Sequence, residues 1–350
     1  MFIFLRCIAL VITIAFCICA DSITQLNSSP NNRWPGRVAL SYDYRLTQGI
    51  RVDTAILHKM LDSCVTGLTN AETVNEGWKS LFPAPLNKSS IIAIKTNLIN
   101  PGNNTPHYYL VLSIVNSLLS IPIDNKRTLP PENIIVYDAN NRHAFSEAHY
   151  IKSQFPPIRF VKDTIINYGD GADGYAYASS LNKCTYLINV FGLSGHNQNY
   201  GGFFLGFKNH YGSYDPSFAA QKQQSLVSMN CTGPVFNKTV LSVCCGLFGI
   251  DEGKGPFGGI SDFSTYVKSI DPNSRGNNPN TLIISTDPVS CEVQAIKILR
   301  INKIRSSVID SLPDYLQASA GIHRPGLSVY NIGIIDEKLM DIRKAVTTSF

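Results

Sequence analysis

The sequence predicts an α/β fold: a mostly parallel sheet covered by helices on both faces, with a site at the carboxyl ends of the strands. Three observations lead there. Short apolar runs recur along the chain, at Ile91-Ile-Ala-Ile94, Asn133-Ile-Ile-Val-Tyr137, Cys184 to Val190, Val240 to Ile250 and Leu282-Ile-Ile284. They lack strict polar alternation, so both faces of each strand are covered, as in parallel sheets. Segments of helical spacing separate the runs, which is the pattern of strand–helix–strand units. The runs also end in polar residues: Lys95 and Asn97, Asp138, Asn189, Asp251 and Asp287. In open α/β sheets, ligands bind in the crevice at the carboxyl ends of strands.

The elements follow in order. Val38-Ala-Leu-Ser-Tyr42 reads as a first strand. Asp53 caps a helix that places Ala55, Ile56, Met60, Leu61, Cys64 and Leu68 near helical spacing. Ile91 to Ile94 is a buried strand running into Lys95-Thr-Asn97, and His107 to Leu119 is a helix with an apolar face. The strand before Asp138 leads to a short helix, Ser146 to Ser153, and to a strand at Ile158-Arg-Phe-Val161. Tyr168-Gly-Asp-Gly-Ala-Asp-Gly174 lacks the spacing and terminal Glu of a calcium loop and reads as a surface turn. Gln221 to Met229 is helical, and Val240 to Ile250 is a long buried strand. Leu282-Ile-Ile284 ends at Asp287, and Pro288 suits the first position of a helix over Val289 to Ile301. A helix over Val308 to Ala320 and a last strand over Val329 to Ile335 complete the pattern. The nine core positions Ile92, Ile94, Ile135, Val136, Leu187, Ile188, Val243, Ile283 and Ile284 are expected to be buried in one sheet.

The N-terminus reads as a targeting segment. Arg6 precedes an apolar run through Ala20, and Asp21 opens a polar stretch. A basic start, a short apolar core and a small closing residue fit a secretory signal peptide over residues 1–20. The run is shorter than the ~20 residues that a spanning helix needs. Residues 21–36 form a loose leader and 37–350 a single α/β domain in this reading, exported to the periplasm or the cell exterior. No integral membrane span is expected after signal removal. Cys7, Cys17 and Cys19 leave with the signal; Cys64, Cys184, Cys231, Cys244, Cys245 and Cys291 stay. Export permits disulfides, and at most one or two are expected, with Cys231 in a polar stretch as a candidate. No CxxC pair exists, so a built-in iron–sulfur cluster and a structural zinc site are not expected. Asn27, Asn87, Asn103, Asn230 and Asn237 open glycosylation sequons.

A 44% hydrophobic and 16% charged chain of 350 residues can bury a large core, which excludes a disordered class. The net charge of +5 is spread without a basic block, so no nucleic-acid partner is expected.

The stretch from Cys184 to Gly212 carries the densest chemistry. After Asn189 it holds His196, Lys208, Asn209 and His210 among Tyr200, Phe203, Phe204, Phe207 and Tyr211. Gly201, Gly202 and Gly206 allow close backbone approach. A glycine-rich hairpin with an aromatic cover is the bland alternative; a loop on a rigid sheet is the functional one.

Several of these segments together resemble the domain of unknown function 362 family. Ile94-Lys-Thr-Asn97-Leu is similar to its IKxNL signature, and Leu187-Ile-Asn-Val with Leu193 and His196 to LINxPxLKxH. Phe207-Lys-Asn-His-Tyr-Gly212 is similar to LKNxxG, Asp251-Glu-Gly-Lys-Gly-Pro256 to the DG…GGP loop, and Ser285-Thr-Asp-Pro-Val289 to STDPVAxD. The resemblance runs from about Val38 to Ile335. It departs at Ser194, where lysine is expected, at Glu252, and at Glu292, which replaces an acid written as Asp. Ferredoxin-like cysteine clusters of many relatives are absent. The resemblance implies an α/β fold and a shared polar site, and no substrate.

These residues define the expected site. His196, Lys208 and Asp251 are the candidate catalytic residues, with His196 as general base. Lys95, Asn97, Asn189, Asn209 and Asp287 are the candidate ligand-binding residues. Asp287, before Pro288, reads equally well as a helix cap. A single metal ion on His196, His210, Asp251 and Asp287 is the open cofactor question. Two functions fit: an exported enzyme on a small anionic substrate, metal-assisted or oxidoreductive, and a non-catalytic exported protein that binds a small molecule in the same cleft.

Overall fold

The computed structural model describes residues 29–98, 105–123, 127–139, 143–196, 198–250, 263–270, 272, 276–302 and 311–346. The signal segment, residues 21–28 of the leader, Asp251 and the loop after it lie outside the described residues.

Among the described residues, nine strands form one sheet. In chain order they are β1 (Arg37–Tyr42), β2 (Ile92–Lys95), β3 (Ile134–Asp138), β4 (Arg159–Lys162), β5 (Tyr186–Gly195), β6 (Phe203–Phe204), β7 (Thr239–Ile250), β8 (Thr281–Ser285) and β9 (Asp341–Val346). Across the sheet the order is β9-β1-β8-β7-β5-β2-β3-β4, with β6 bonded to β5 off that path. β7, β5, β2, β3 and β4 run parallel. β8 runs antiparallel to both β7 and β1, and β9 is parallel to β1. The sheet is therefore mixed but mostly parallel.

Helices cover both faces, and the strand pleat decides which residue meets which. Helices α1 (Thr54–Thr69), α2 (Val74–Ser80) and α3 (Tyr108–Ser120) lie on one face. They pack on Ile92, Ile94, Ile134, Val136, Ile188, Val190, Leu241, Val243, Leu282 and Ile284. Those positions alternate along each strand, as the period of two requires. Helices α4 (Gly206–Asn209), α5 (Gln223–Cys231), α6 (Gly233–Lys238), α7 (Ser264–Ile270), α8 (Pro288–Ile301) and α9 (Asp314–Ser319) cover the other face. That face carries two apolar clusters. One gathers Phe191, Leu193, Phe207, Cys244, Ile283 and Tyr315, and the other Ala93, Ile135, Tyr137, Leu187 and Phe218. All nine expected core residues are buried, at 0–1% exposure.

The Asp53 cap works as the sequence suggests. Asp53 Oδ1 accepts from the Ala55 and Ile56 amides at 3.0 Å, and α1 stops at Asn70 in the left-handed region, φ 57°. Thr73 and Glu76 form a capping box at α2.

Four expectations change. The helix over Ser146–Ser153 is replaced by 3-10 turns, interrupted by His149 at φ 61°. Of the helix over 308–320, only Asp314–Ser319 is seen, opening after Pro313; residues 308–310 lie outside the described part. Val329 to Ile335 is not a strand. Its amides are drawn elsewhere: Tyr330 to Ala318 O, Ile332 to Ser319 O and Ile334 to Asp287. The strand beside β1 comes later, at Asp341–Val346. Finally, Cys64, Cys184, Cys231, Cys244, Cys245 and Cys291 are all buried and free. Cys231 is no bridge candidate, since it closes a buried helix and its Sγ meets Ser319 Oγ at 3.3 Å. Among the described residues, no helix is long and apolar enough to cross a membrane. The Asn230 sequon is also closed: its side-chain amide is buried and donates to Phe207 O and Leu226 O.

Candidate functional site

Lys95 and Asn189 sit side by side at the heart of the sheet. They are register partners on β2 and β5, and both side chains are buried. They share the pleat face of Ala93 and Leu187, between the two apolar clusters described above. Burying an ammonium requires a partner, and the fold supplies one. Asp138, last residue of β3, approaches Lys95 Nζ at 3.1 Å. Lys95 Nζ also donates to Thr96 O and to Asn209 Oδ1, the latter at 3.3 Å. Burial pulls the Lys95 pKa down, and Asp138 opposes that pull. Asp138 in turn accepts from the Leu98 amide at 2.7 Å.

The segment from His196 to Gly212 folds over this pair. β5 and β6 form a hairpin in which Phe203 faces Gly195 and Phe204 faces Ser194. Gly201 and Gly202 turn it at φ 80° and 83°, a region open to glycine. The short helix α4 follows, and four hydrogen bonds fix it. Asn209 Nδ2 donates to Asn189 Oδ1 at 2.7 Å and to Val190 O at 3.0 Å. Asn189 Nδ2 returns a bond to Gly206 O at 2.9 Å. Glu292, fully buried on α8, accepts from the Phe207 amide at 2.8 Å and from the Tyr315 hydroxyl. Burial pushes the Glu292 carboxyl up to about 7, against these bonds. Gly212 then passes so close that a Cβ there would lie 2.0 Å from Asp138 Oδ1 and 2.6 Å from Lys95 Nζ.

Lys208 stands apart from this network. Its Nζ lies 2.8 Å from His196 Nδ1, 4.2 Å from the Tyr200 ring centre and 5.4 Å from that of Phe204. Burial pulls its pKa down to about 7. No carboxylate of the described residues pairs with it, in contrast to Lys95.

The fold thus joins Lys95, Asn189 and Asn209 by direct bonds and places Lys208 and His196 on the same segment. Asn97 is buried just past the end of β2. Asp251 lies outside the described residues. Asp287 does not join them, which corrects the expectation of one cleft. β8 is antiparallel, so its carboxyl end points toward the amino ends of β5 and β7. There Asp287 caps α8 through the Ser290 amide and accepts from the Gly36 and Ile334 amides, each at 2.9 Å. His210 is buried against Ser213, and burial with the nearby Lys95 holds its pKa well below the usual imidazole value. Among the described residues, no group of three His, Cys, Asp or Glu side chains could hold a metal ion.

Three contributors were missing from the sequence-derived site. Asp138 carried a signal, a strand-ending acid beside Lys95. Glu292 carried another, an acid within an otherwise apolar helix turn. Tyr315 carried none, because its partner is distant in sequence.

No family model, curated protein or solved structure matches this chain. The class that fold and site define is an α/β protein with a buried polar cluster beneath the segment that follows its central strand.

Proposed function

We propose that this chain is an exported enzyme acting on a small anionic substrate, bound where Lys208 and His196 meet the aromatic hairpin. One observation carries the reading: a buried lysine and a histidine at 2.8 Å, with no carboxylate of the described residues to neutralise the lysine. Such a pair offers a cation for an anionic group and a base for a proton. Lys95, by contrast, is fully engaged by Asp138 and Asn209; its part is to hold the Asn189–Asn209 link, and with it Lys208, in place. The resemblance to the domain of unknown function 362 family supports a shared site at these segments. The signal-like segment over residues 1–20 supports export. A non-catalytic binding protein is the second reading, favoured by the burial of Lys208 beside the half-buried His196 at the close of the hairpin.

Native mass spectrometry and elemental analysis of the purified protein test the first step, ligand or metal retention. A retained small anion lost in both His196→Ala and Lys208→Ala supports the site. Its chemical conversion by wild type selects the enzyme. Retention without conversion selects the binding protein, and retention unchanged in both variants rejects the site.

A further inference from the structure

The two buried lysines of this face are treated differently by the fold. Lys95 has a carboxylate at 3.1 Å; Lys208 has an imidazole nitrogen at 2.8 Å and two aromatic rings. A lysine kept as a permanent structural cation needs the first arrangement. The second leaves a nitrogen lone pair within reach of use once a proton has left. Burial favours that loss, and the Tyr200 ring opposes it by preferring the cation. Burial prevails, bringing the amine to about 7.

We propose that Lys208 is a nucleophilic amine that forms an imine with the carbonyl group of a small oxo acid or aldehyde, with His196 moving the protons. The inference rests on the reading of the Lys208–His196 end as the ligand site and narrows its substrate class. Neutral Nζ adds to the carbonyl carbon, forming the C–N bond, while the carbonyl π pair moves to oxygen. Nitrogen loses one proton to His196, which passes it to that oxygen and gives the neutral carbinolamine. The hydroxyl then leaves as water with a second proton from the imidazolium, the nitrogen lone pair closes the C=N bond as an iminium, and the iminium returns that proton to His196 to give the imine. One carbonyl and one amine give one imine and one water, with no oxidant or reductant. The aromatic walls suit this step, since they keep the amine desolvated without neutralising it.

The test uses the full mature protein with glyoxylate, pyruvate and propionaldehyde, each with sodium cyanoborohydride, followed by peptide mapping. At neutral pH, reduced adduct at Lys208 is expected to exceed that at the exposed Lys59, Lys88 and Lys268 by about tenfold or more, because an ordinary lysine is almost wholly protonated there. The readout is internal to the wild type, so a variant that fails to fold does not obscure it. His196→Gln should lower the Lys208 adduct while leaving the exposed lysines unchanged. Labelling of Lys208 no greater than that of the exposed lysines, with all three probes, overturns the proposal. Calorimetric titration with acetate and succinate, which carry no ketone or aldehyde, separates the two claims. Their binding without an enriched adduct removes the imine and keeps the anion site; neither binding nor adduct removes both.

Discussion

Lys95 and Asp138 show what a single buried charge demands. Both are within 2% of full burial, and their charged ends pair at 3.1 Å. Removing one partner of such a pair typically costs about 3–5 kcal/mol, because the other is left charged and unpaired. Lys95→Met should therefore lower the unfolding free energy by about that amount, as read by urea denaturation. Lys95→Met with Asp138→Leu should recover much of the loss. Loss of equal size in the single and double variants would show that packing, not charge, is at stake. Glu292 makes the complementary point. Its carboxyl is raised to about 7 in the fold, whereas an unfolded Glu titrates near 4.3. Between those values the native state holds a proton that the unfolded state has released, so stability falls as pH rises through this window. Above about 7 the penalty is complete, on the order of 3 kcal/mol. Glu292→Gln should flatten the pH dependence of stability between about 4.5 and 7. An unchanged slope would place the titrating group elsewhere.

At the scale of elements, the decisive piece is the segment from β5 to Gly212. It is short of regular structure, yet every turn of it is fixed from outside: the hairpin by β5, α4 by Asn189 and Glu292, and Gly212 by the ion pair. A glycine at 212 leaves room that no side chain could share. Gly212→Ala should destabilise by about 1–3 kcal/mol through overpacking, without moving the turn at Gly201. A neutral effect in thermal unfolding would mean that the ion pair yields. The chemistry of this segment was legible in the sequence, where polar and aromatic residues crowd between glycines. Its regular structure was not. β5 was expected to close near Val190 and instead runs to Gly195, because the return strand β6 pairs with its end. A pairing made by a two-residue strand leaves little trace in local pattern.

For the molecule as a whole, apolar runs foretold the sheet because both of its faces are covered. Ile92, Ile94, Ile188 and Val190 face one helical layer, while Ala93, Leu187 and Phe191 face the other. Strand direction was harder to read. Leu282-Ile-Ile284 looks like its parallel neighbours, but the sheet takes it in reverse. Nothing in a run of buried residues encodes its polarity; the connections do. That one reversal moves Asp287 from the expected cleft to a cap beside Gly36, the role that its place before Pro288 and a helix equally suggests.

The central claim is that the Lys208–His196 end receives a small anion. Isothermal titration of wild type, Lys208→Met and Lys59→Met with a panel of small carboxylates and oxo acids tests it most directly. The account predicts that at least one compound binds wild type and Lys59→Met alike and binds Lys208→Met about tenfold or more weakly, the loss of about 1.4 kcal/mol or more expected when a charge-assisted contact is removed. Equal affinity in wild type and Lys208→Met, or an equal loss in both variants, would contradict it.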